Sequence, residues 1–232
     1  MSDTLSVLLE HEDFLVVNKP VGVPMHDKDS GIVQQVHAQT GIANLHLVHR
    51  LDTPTSGCLI LATNKKAAAT LSRMFSYHQI DKYYIALLAN KPKKKQGSVI
   101  GDMINRRSGQ RALTHSKDNP AVTQFLSESI EPGLRLALVK PITGKTHQIR
   151  VAMKSLGSPI IGDDRYGGAA ADRLYLHAWH LRFEYANETI TCYAKPLAGD
   201  LFSLQSFDTW LERAPAPETL KWPGNQVSSE SK

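Results

Sequence analysis

Apolar residues in this chain come in short runs that do not alternate regularly with helical segments, which limits the folds open to it. Phe14-Leu15-Val16-Val17, stopped by Lys19-Pro20 and Gly22, predicts a strand. Cys58-Leu59-Ile60-Leu61-Ala62 predicts a buried one. Tyr83 to Leu88, Val122 to Phe125 and Leu134 to Val139 follow, with Glu131-Pro132-Gly133 as the turn before the last. Leu174 to Phe183 and Thr189 to Ala194 predict a hairpin around Asn187. Helices are fewer. Ser30 is expected to cap one that runs to Ala38 and is ended by Gly41, and Asn64 to cap one carrying Ala67, Leu71 and Met74 on a single face. Thr146 is expected to open a third, stopped by Gly157, and Asp200 to cap a fourth through Leu211. The pattern predicts an α+β fold, a mostly antiparallel mixed sheet with flanking helices.

The 232 residues suffice for one domain, or one and a half, with a real core. Residues 1–212 are expected to form that globular part. Residues 213–232, with three prolines and a Ser-rich end, are expected to be a mobile tail. With 27 Lys+Arg against 22 Asp+Glu, the formal charge of +5 permits a nucleic-acid partner without establishing one. Cys58 and Cys192 cannot make a disulfide framework or a four-cysteine zinc site. No run approaches the ~18 apolar residues of a membrane span, and Met1 to Glu10 lacks a signal-peptide layout. A cytoplasmic protein is the expectation. Nothing demands a dimer, so a monomer is expected.

Two polar clusters can carry chemistry. His49-Arg50-Leu51-Asp52-Thr53-Pro54-Thr55-Ser56-Gly57 predicts a tight turn just before a buried strand. A carboxylate beside an arginine there can act as nucleophile or general base, or merely cap the turn. Gly144-Lys145-Thr146 suggests a phosphate loop, but that motif needs a glycine five positions before Gly144, where Val139 stands. What remains is a helix start carrying Lys145, His147 and Arg150. The pairs His46/His49 and His177/His180 could ligate zinc if helical. Trp179 and its apolar flanks predict a strand for the second pair, where positions three apart face opposite sides, so no metal site is expected. Basic residues gather at Lys91-Pro92-Lys93-Lys94-Lys95 and at Arg106, Arg107 and Arg111. Tyr83 and Tyr84 must face opposite sides of their strand, one of them available for a base to stack on.

Taken together these segments resemble the RluA-type family of RNA pseudouridine synthases. The fit to His49-Arg50-Leu51-Asp52-x-x-Thr55-Ser56-Gly57 is complete over the family's catalytic motif. Lys82-x-Tyr84-x-Ala86 matches its second motif, Gly144-Lys145-Thr146-His147-Gln148-Ile149-Arg150-Val151 its third, and Asn18-Lys19-Pro20-x-Gly22 its opening signature. Gly162-Asp163-x-x-Tyr166-Gly167 and Leu176-His177-x-x-x-Leu181-x-Phe183 match later ones, and the likeness runs from about Glu10 to Leu211 in the family's order. One departure is Ala152, where the family often has histidine. The opening signature lies within twenty residues of Met1, so a stand-alone catalytic domain without the family's frequent S4 domain is expected.

The resemblance implies an isomerase that turns uridines of structured ribosomal or transfer RNA into pseudouridine, without cofactor or metal, in a central RNA-binding cleft. It implies that Asp52 lets uracil detach from its ribose, whether by bonding to the sugar, bonding to the ring, or supporting a glycal route. Tyr84 is then the residue that packs on the base, and Arg150 the cation paired with Asp52. Arg50 contacts RNA beside the displaced nucleotide. His49, Thr55, Lys19, Lys145, His147, Leu176, Arg106 and Arg107 are expected among the substrate contacts. The competing reading is a non-catalytic RNA-binding protein that kept the fold. Such a module has no need of a carboxylate in a basic cleft.

Overall fold

The computed structural model describes residues 5–224. These divide into two compact units, one of residues 5–84 together with Leu176–Leu204, the other of Ile85–Tyr175 with residues 205–224.

The first unit begins with β1 (Ser6–His11) and β2 (Phe14–Lys19), an antiparallel pair, followed by α1 (Ile32–Thr40), the short β3 (His46–Leu47), β4 (Ser56–Ala62) and α2 (Lys65–Ser76). Strand β5 (Asp81–Leu88) leads into the second unit. There lie β6 (Gln96–Gly101), the two-stranded hairpin of β7 (Met103–Asn105) and β8 (Arg111–Leu113), β9 (Ala121–Glu131), β10 (Leu134–Pro141) and α3 (Gln148–Ser155). The chain returns to the first unit with β11 (Leu176–Tyr185) and β12 (Glu188–Tyr193). It ends in the second with α4 (Gln205–Arg213). Within the first unit β2, β3 and β4 pair antiparallel, β11 joins β4 in parallel, and β12 closes on β11 antiparallel. Within the second, β9 pairs antiparallel with both β10 and β6. This is the mostly antiparallel α+β architecture expected.

The unbroken apolar runs have a simple cause: β2 and β4 are buried on both faces. Phe14, Val16, Cys58 and Ile60 join Leu71 and Met74 of α2 in one cluster. Their neighbours Leu15, Val17, Leu59 and Leu61 join Ile32 and Val36 of α1 in another. Successive strand residues point to opposite faces, so a strand covered on both sides has no polar positions to spare. Asn64 caps α2 as expected, its Oδ1 accepting the Ala67 N–H at 2.8 Å. Ala186 and Asn187, with φ of 49° and 68°, make the tight turn between β11 and β12.

Three expectations fail, each for a local reason. Ser30 does not cap α1: its hydroxyl donates to the Asp27 carboxylate at 2.8 Å, and Gly31 stands at the cap. Asp200 begins a short 3-10 turn over Asp200–Ser203, and α4 starts only at Gln205. Residues 214–224, expected in a mobile tail, are tied to the second unit. Gln124 Nε2 donates to Pro223 O at 2.6 Å, and the Ser98 hydroxyl to Gly224 O at 3.3 Å. The remainder of that stretch, 225–232, lies outside the described residues. No helix among the described residues is long and apolar enough to cross a membrane.

Candidate active site

Asp52 sits half-buried at the head of a turn whose backbone is closed by the Thr55 N–H donating to Asp52 O at 2.9 Å. The chain then enters β4. Gly57 has φ +112°, and a Cβ there would lie 2.2 Å from Ala178 O, where β11 runs parallel at Ser56↔His177 and Ala178↔Gly57. Only glycine admits that approach. Beside it His177 Nε2 donates to Ala194 O at 2.8 Å, which leaves Nδ1 to accept the Ser56 hydroxyl at 2.8 Å. Thr55 is 2% exposed, and its N–H closes the turn.

Lys19 corrects the sequence reading most sharply. Its side chain is fully buried, and Nζ donates to Pro20 O at 2.8 Å, Val23 O at 2.9 Å and Thr53 O at 3.2 Å. An ammonium has three donors, so these carbonyls engage them all and none is left for a phosphate. Gly22, at φ +80°, donates its N–H to the same Thr53 carbonyl at 2.9 Å. The Asn-Lys-Pro-x-Gly signature is thus a clamp on the residue after Asp52.

Tyr83 and Tyr84 do face opposite ways. Tyr83 is buried, its ring stacked on His180 at 5.3 Å. Tyr84 is half-buried against the cluster that contains Leu51 and Leu59. Burial pushes its phenol up, and the nearby negative charge of Asp52 pushes it further, so the hydroxyl holds its proton across the physiological range. Carboxylate and phenol are neighbours. Arg50 is exposed next to the turn, and Leu176 is buried at the start of β11.

His49 is also part of the scaffold. Its Nε2 accepts the Ile60 N–H at 2.9 Å and its ring stacks on Phe75 at 4.1 Å. Burial, helped by the charge of Lys82, lowers its pKa from 6.5 to about 3. The unfolded chain therefore binds a proton between those values that the folded protein refuses. This contribution is complete above pH 6.5 and is lost as pH falls toward 3, with a slope of at most about 1.4 kcal/mol per pH unit. In urea titrations at pH 7 and pH 5, His49→Gln is expected to flatten the loss of stability on acidification. An unchanged pH dependence would remove His49 as its source.

The second unit presents its own polar centre. Helix α3 starts at Gln148, two residues later than expected, because His147 takes the cap position with φ +58°, a conformation that costs a non-glycine residue energy. Gln148, not among the expected site residues, is buried. Its Oε1 accepts the Lys145 N–H at 3.0 Å and the Thr143 hydroxyl at 2.7 Å, while Nε2 donates to Val122 O at 3.0 Å. Lys145 Nζ donates to Asn119 Oδ1 at 2.6 Å. One turn on, Arg150 is 4% exposed. Its Nε and Nη2 donate to the two carboxylate oxygens of Asp163 at 2.8 and 2.7 Å. Tyr166 lies under the guanidinium at 5.1 Å, and its hydroxyl meets His147 Nδ1 at 2.8 Å. Ala152, where a histidine is frequent in the family, is buried in α3.

A cleft of about 680 Å³ opens between the β7–β8 hairpin and α3, lined by Arg106, Arg107, Arg111, Lys154, Gln110 and Val151 among others. Among the described residues no acidic side chain lines it. Lys91, Lys93, Lys94 and Lys95 are exposed but do not line it. The structure thus groups Asp52, Tyr84 and Arg50 in the first unit, and Arg150, His147, Lys145 and the hairpin arginines in the second. Among the described residues no cluster of three metal-ligand side chains occurs.

Known proteins match this pattern. Residues 13–155 fit the family described as RNA pseudouridylate synthase. An uncharacterized RNA pseudouridine synthase of Haemophilus influenzae is 50% identical over 202 residues, 85% of this chain and 90% of its own. Ribosomal large subunit pseudouridine synthase C of Haemophilus ducreyi is 34% identical over 77% of this chain, which spans 61% of that relative's length. Among solved structures, human RNA pseudouridylate synthase domain containing 4 superposes with a TM-score of 0.73 at 26% identity, covering 88% of this chain and 93% of its own. Human RNA pseudouridylate synthase domain containing 1 gives 0.72 at 28%, covering 92% and 96%. The ordered motifs, the α+β architecture and these likenesses agree, and the chain belongs to the RluA-type family of RNA pseudouridine synthases, isomerases that convert uridine to pseudouridine in RNA.

Proposed function

We propose that this isomerase acts on uridines in structured RNA, of the ribosomal large subunit or of transfer RNA, with Asp52 as its catalytic carboxylate. The observation that carries the reading is Asp52 itself. It is half-exposed on a turn clamped by Lys19 and Gly22, beside a phenol that its charge perturbs. The relatives named for the ribosomal large subunit favour that RNA.

A uridine within a stem cannot offer C1′ and both ring faces to a side chain, so the nucleotide must leave the stack at a cost of a few kcal/mol. Packing on the Tyr84 ring offsets much of this, since base–aromatic stacking contributes about 1–3 kcal/mol. The N1–C1′ bond then breaks with Asp52 as the attacking or supporting carboxylate. The uracil rotates, C5 bonds to C1′, the C5 proton leaves with the Tyr84 hydroxyl proposed to assist its removal, and N1, freed from the sugar, takes up a proton, so the reaction is a net isomerisation. Arg150 is proposed as the cation that accompanies Asp52. Arg50 is proposed to contact RNA next to the everted nucleotide. Lys145, His147 and the hairpin arginines are proposed to contact phosphates.

Two outcomes test these roles. Tyr84→Phe keeps the ring but not the hydroxyl. Tritium release from C5-tritiated large-subunit rRNA transcript is expected to slow by about 10²-fold, the lower end for a lost acid–base group, and an equal rate would leave Tyr84 a stacking platform only. Replacing Arg106, Arg107 and Arg111 by Gln is expected to lower the slope of log affinity against log salt by about two to three units, just under one per phosphate. An unchanged slope would make the hairpin a solvated bystander.

A further inference from the structure

The turn between β7 and β8 is stapled to the loop that holds Arg150. Arg165 Nη1 donates to Ser108 O at 2.9 Å, Gln110 Nε2 donates to Arg165 O at 2.9 Å, and the Arg111 N–H donates to the Tyr166 hydroxyl oxygen at 2.9 Å. Tyr166 is 2% exposed, yet it touches Arg111, His147 and Arg150, three residues of this unit that the reaction is proposed to use. Its oxygen, which accepts from Arg111, also meets His147 Nδ1 at 2.8 Å, and His147 holds a left-handed conformation there. The aromatic face carries the Arg150 guanidinium at 5.1 Å and the Lys154 ammonium at 5.6 Å. Its backbone N–H donates to Asp163 Oδ1 at 3.2 Å, the same oxygen that accepts from Arg150.

We propose that Tyr166 is a positioning residue that locks the arginine hairpin and Arg150 into one rigid body, so that RNA seated on the hairpin holds its uridine in register with the reacting cation. The proposal rests on the reading above, in which the hairpin grips RNA and Arg150 serves the chemistry. A hydroxyl placed between the two elements gives it a distinct signature: loss of the hydroxyl separates rate from affinity. It acts through Arg150 and His147, not on the substrate itself.

The test uses the full-length protein in excess over C5-tritiated large-subunit rRNA transcript, with single-turnover rate, amplitude and filter-binding affinity measured together. Tyr166→Phe is expected to lower the saturating rate by about tenfold, a fraction of the 10² that misplacing a catalytic group by 1 Å costs. Affinity should stay within twofold and amplitude should be unchanged. A merely unfolded fraction lowers amplitude and leaves the rate alone. Arg107→Gln in the otherwise native protein is expected to weaken binding and also to slow the saturating rate, whereas in the Tyr166→Phe background it should weaken binding alone. Arg165→Ala, at an exposed position, is expected to slow the rate in the same direction by a smaller factor, which keeps the idea open to refutation should the Phe variant fold poorly. A wild-type rate in both Tyr166→Phe and Arg165→Ala, or rate effects of Arg107→Gln that are the same in both backgrounds, would overturn the proposal. Absence of tritium release by the unaltered protein, from this transcript and from a pool of unmodified transfer RNAs, would instead overturn the functional reading and this inference with it.

Discussion

Asp52→Asn is expected to abolish release of tritium from C5-labelled RNA while RNA affinity stays within a few-fold. The substitution keeps the shape and the turn, because the bonds that hold this segment run through the backbone: Thr55 N–H to Asp52 O, and Lys19 and Gly22 to Thr53 O. What it removes is a negative oxygen able to attack or support an electron-deficient sugar or ring, and an amide cannot replace it. Loss of a catalytic group that acts in one step typically costs 10² to 10⁴ in rate. A carboxylate that takes part throughout is expected to exceed that. Retained turnover would remove Asp52 from the mechanism. Collapse of RNA binding would show that it holds the fold or the ligand, not the reaction.

Asp163→Asn should show the second largest effect, and on two readouts. Asp163 is 1% exposed and Arg150 4%, so their paired bonds of 2.7 and 2.8 Å are shielded from water. Removing one partner of a buried pair costs about 3–5 kcal/mol. At about 2–4 °C per kcal/mol for a protein of this size, the thermal midpoint should fall by roughly 10 °C. Turnover measured well below that midpoint should drop by about 10²-fold as the guanidinium loses its fixed orientation. Asp163→Glu restores the charge but lengthens the arm, and is expected to recover part of the stability and little of the rate. A midpoint within a degree or two of the original, with full activity, would contradict the role given to this pair.

Much of this was legible in the chain because the relevant physics is local. β2 and β4 read as strands from unbroken β-branched and leucine-rich runs, and burial of both faces explains why they lack alternation. Asn64 read as a cap because a side-chain oxygen three residues before an amide is a local geometry. Ser30 misled for the same reason: a competing acceptor three residues back, Asp27, captures its hydroxyl and the adjacent N–H groups. Lys19 misled more deeply. A lysine after a strand ordinarily reaches solvent, and only the convergence of carbonyls from Pro20, Val23 and Thr53, the last 34 residues away, turns it inward.

The candidate site divides along the same line. Asp52, Tyr84 and Arg150 stand in dense motifs whose residue types announce chemistry. Asp163 and Tyr166 were visible as a spaced motif, but nothing in the spacing says that the carboxylate faces Arg150 across 13 residues, or that the phenol bridges a hairpin 55 residues earlier to the cap of α3. Gln148 looked like an ordinary helical polar residue. Its burial beside Val122 and Thr143 makes it the anchor of the loop that presents Lys145 and His147.

The most direct test of the central claim is a comparison of pseudouridine maps. Total RNA from cells lacking this protein is set beside RNA from the same cells supplied with the native chain or with its Asp52→Asn form. One or a few uridines in ribosomal or transfer RNA are expected to be unmodified without the protein, to be converted when the native chain is restored, and to stay unconverted with the Asn form. Maps that are identical in all three, or restoration by the Asn form, would contradict the account.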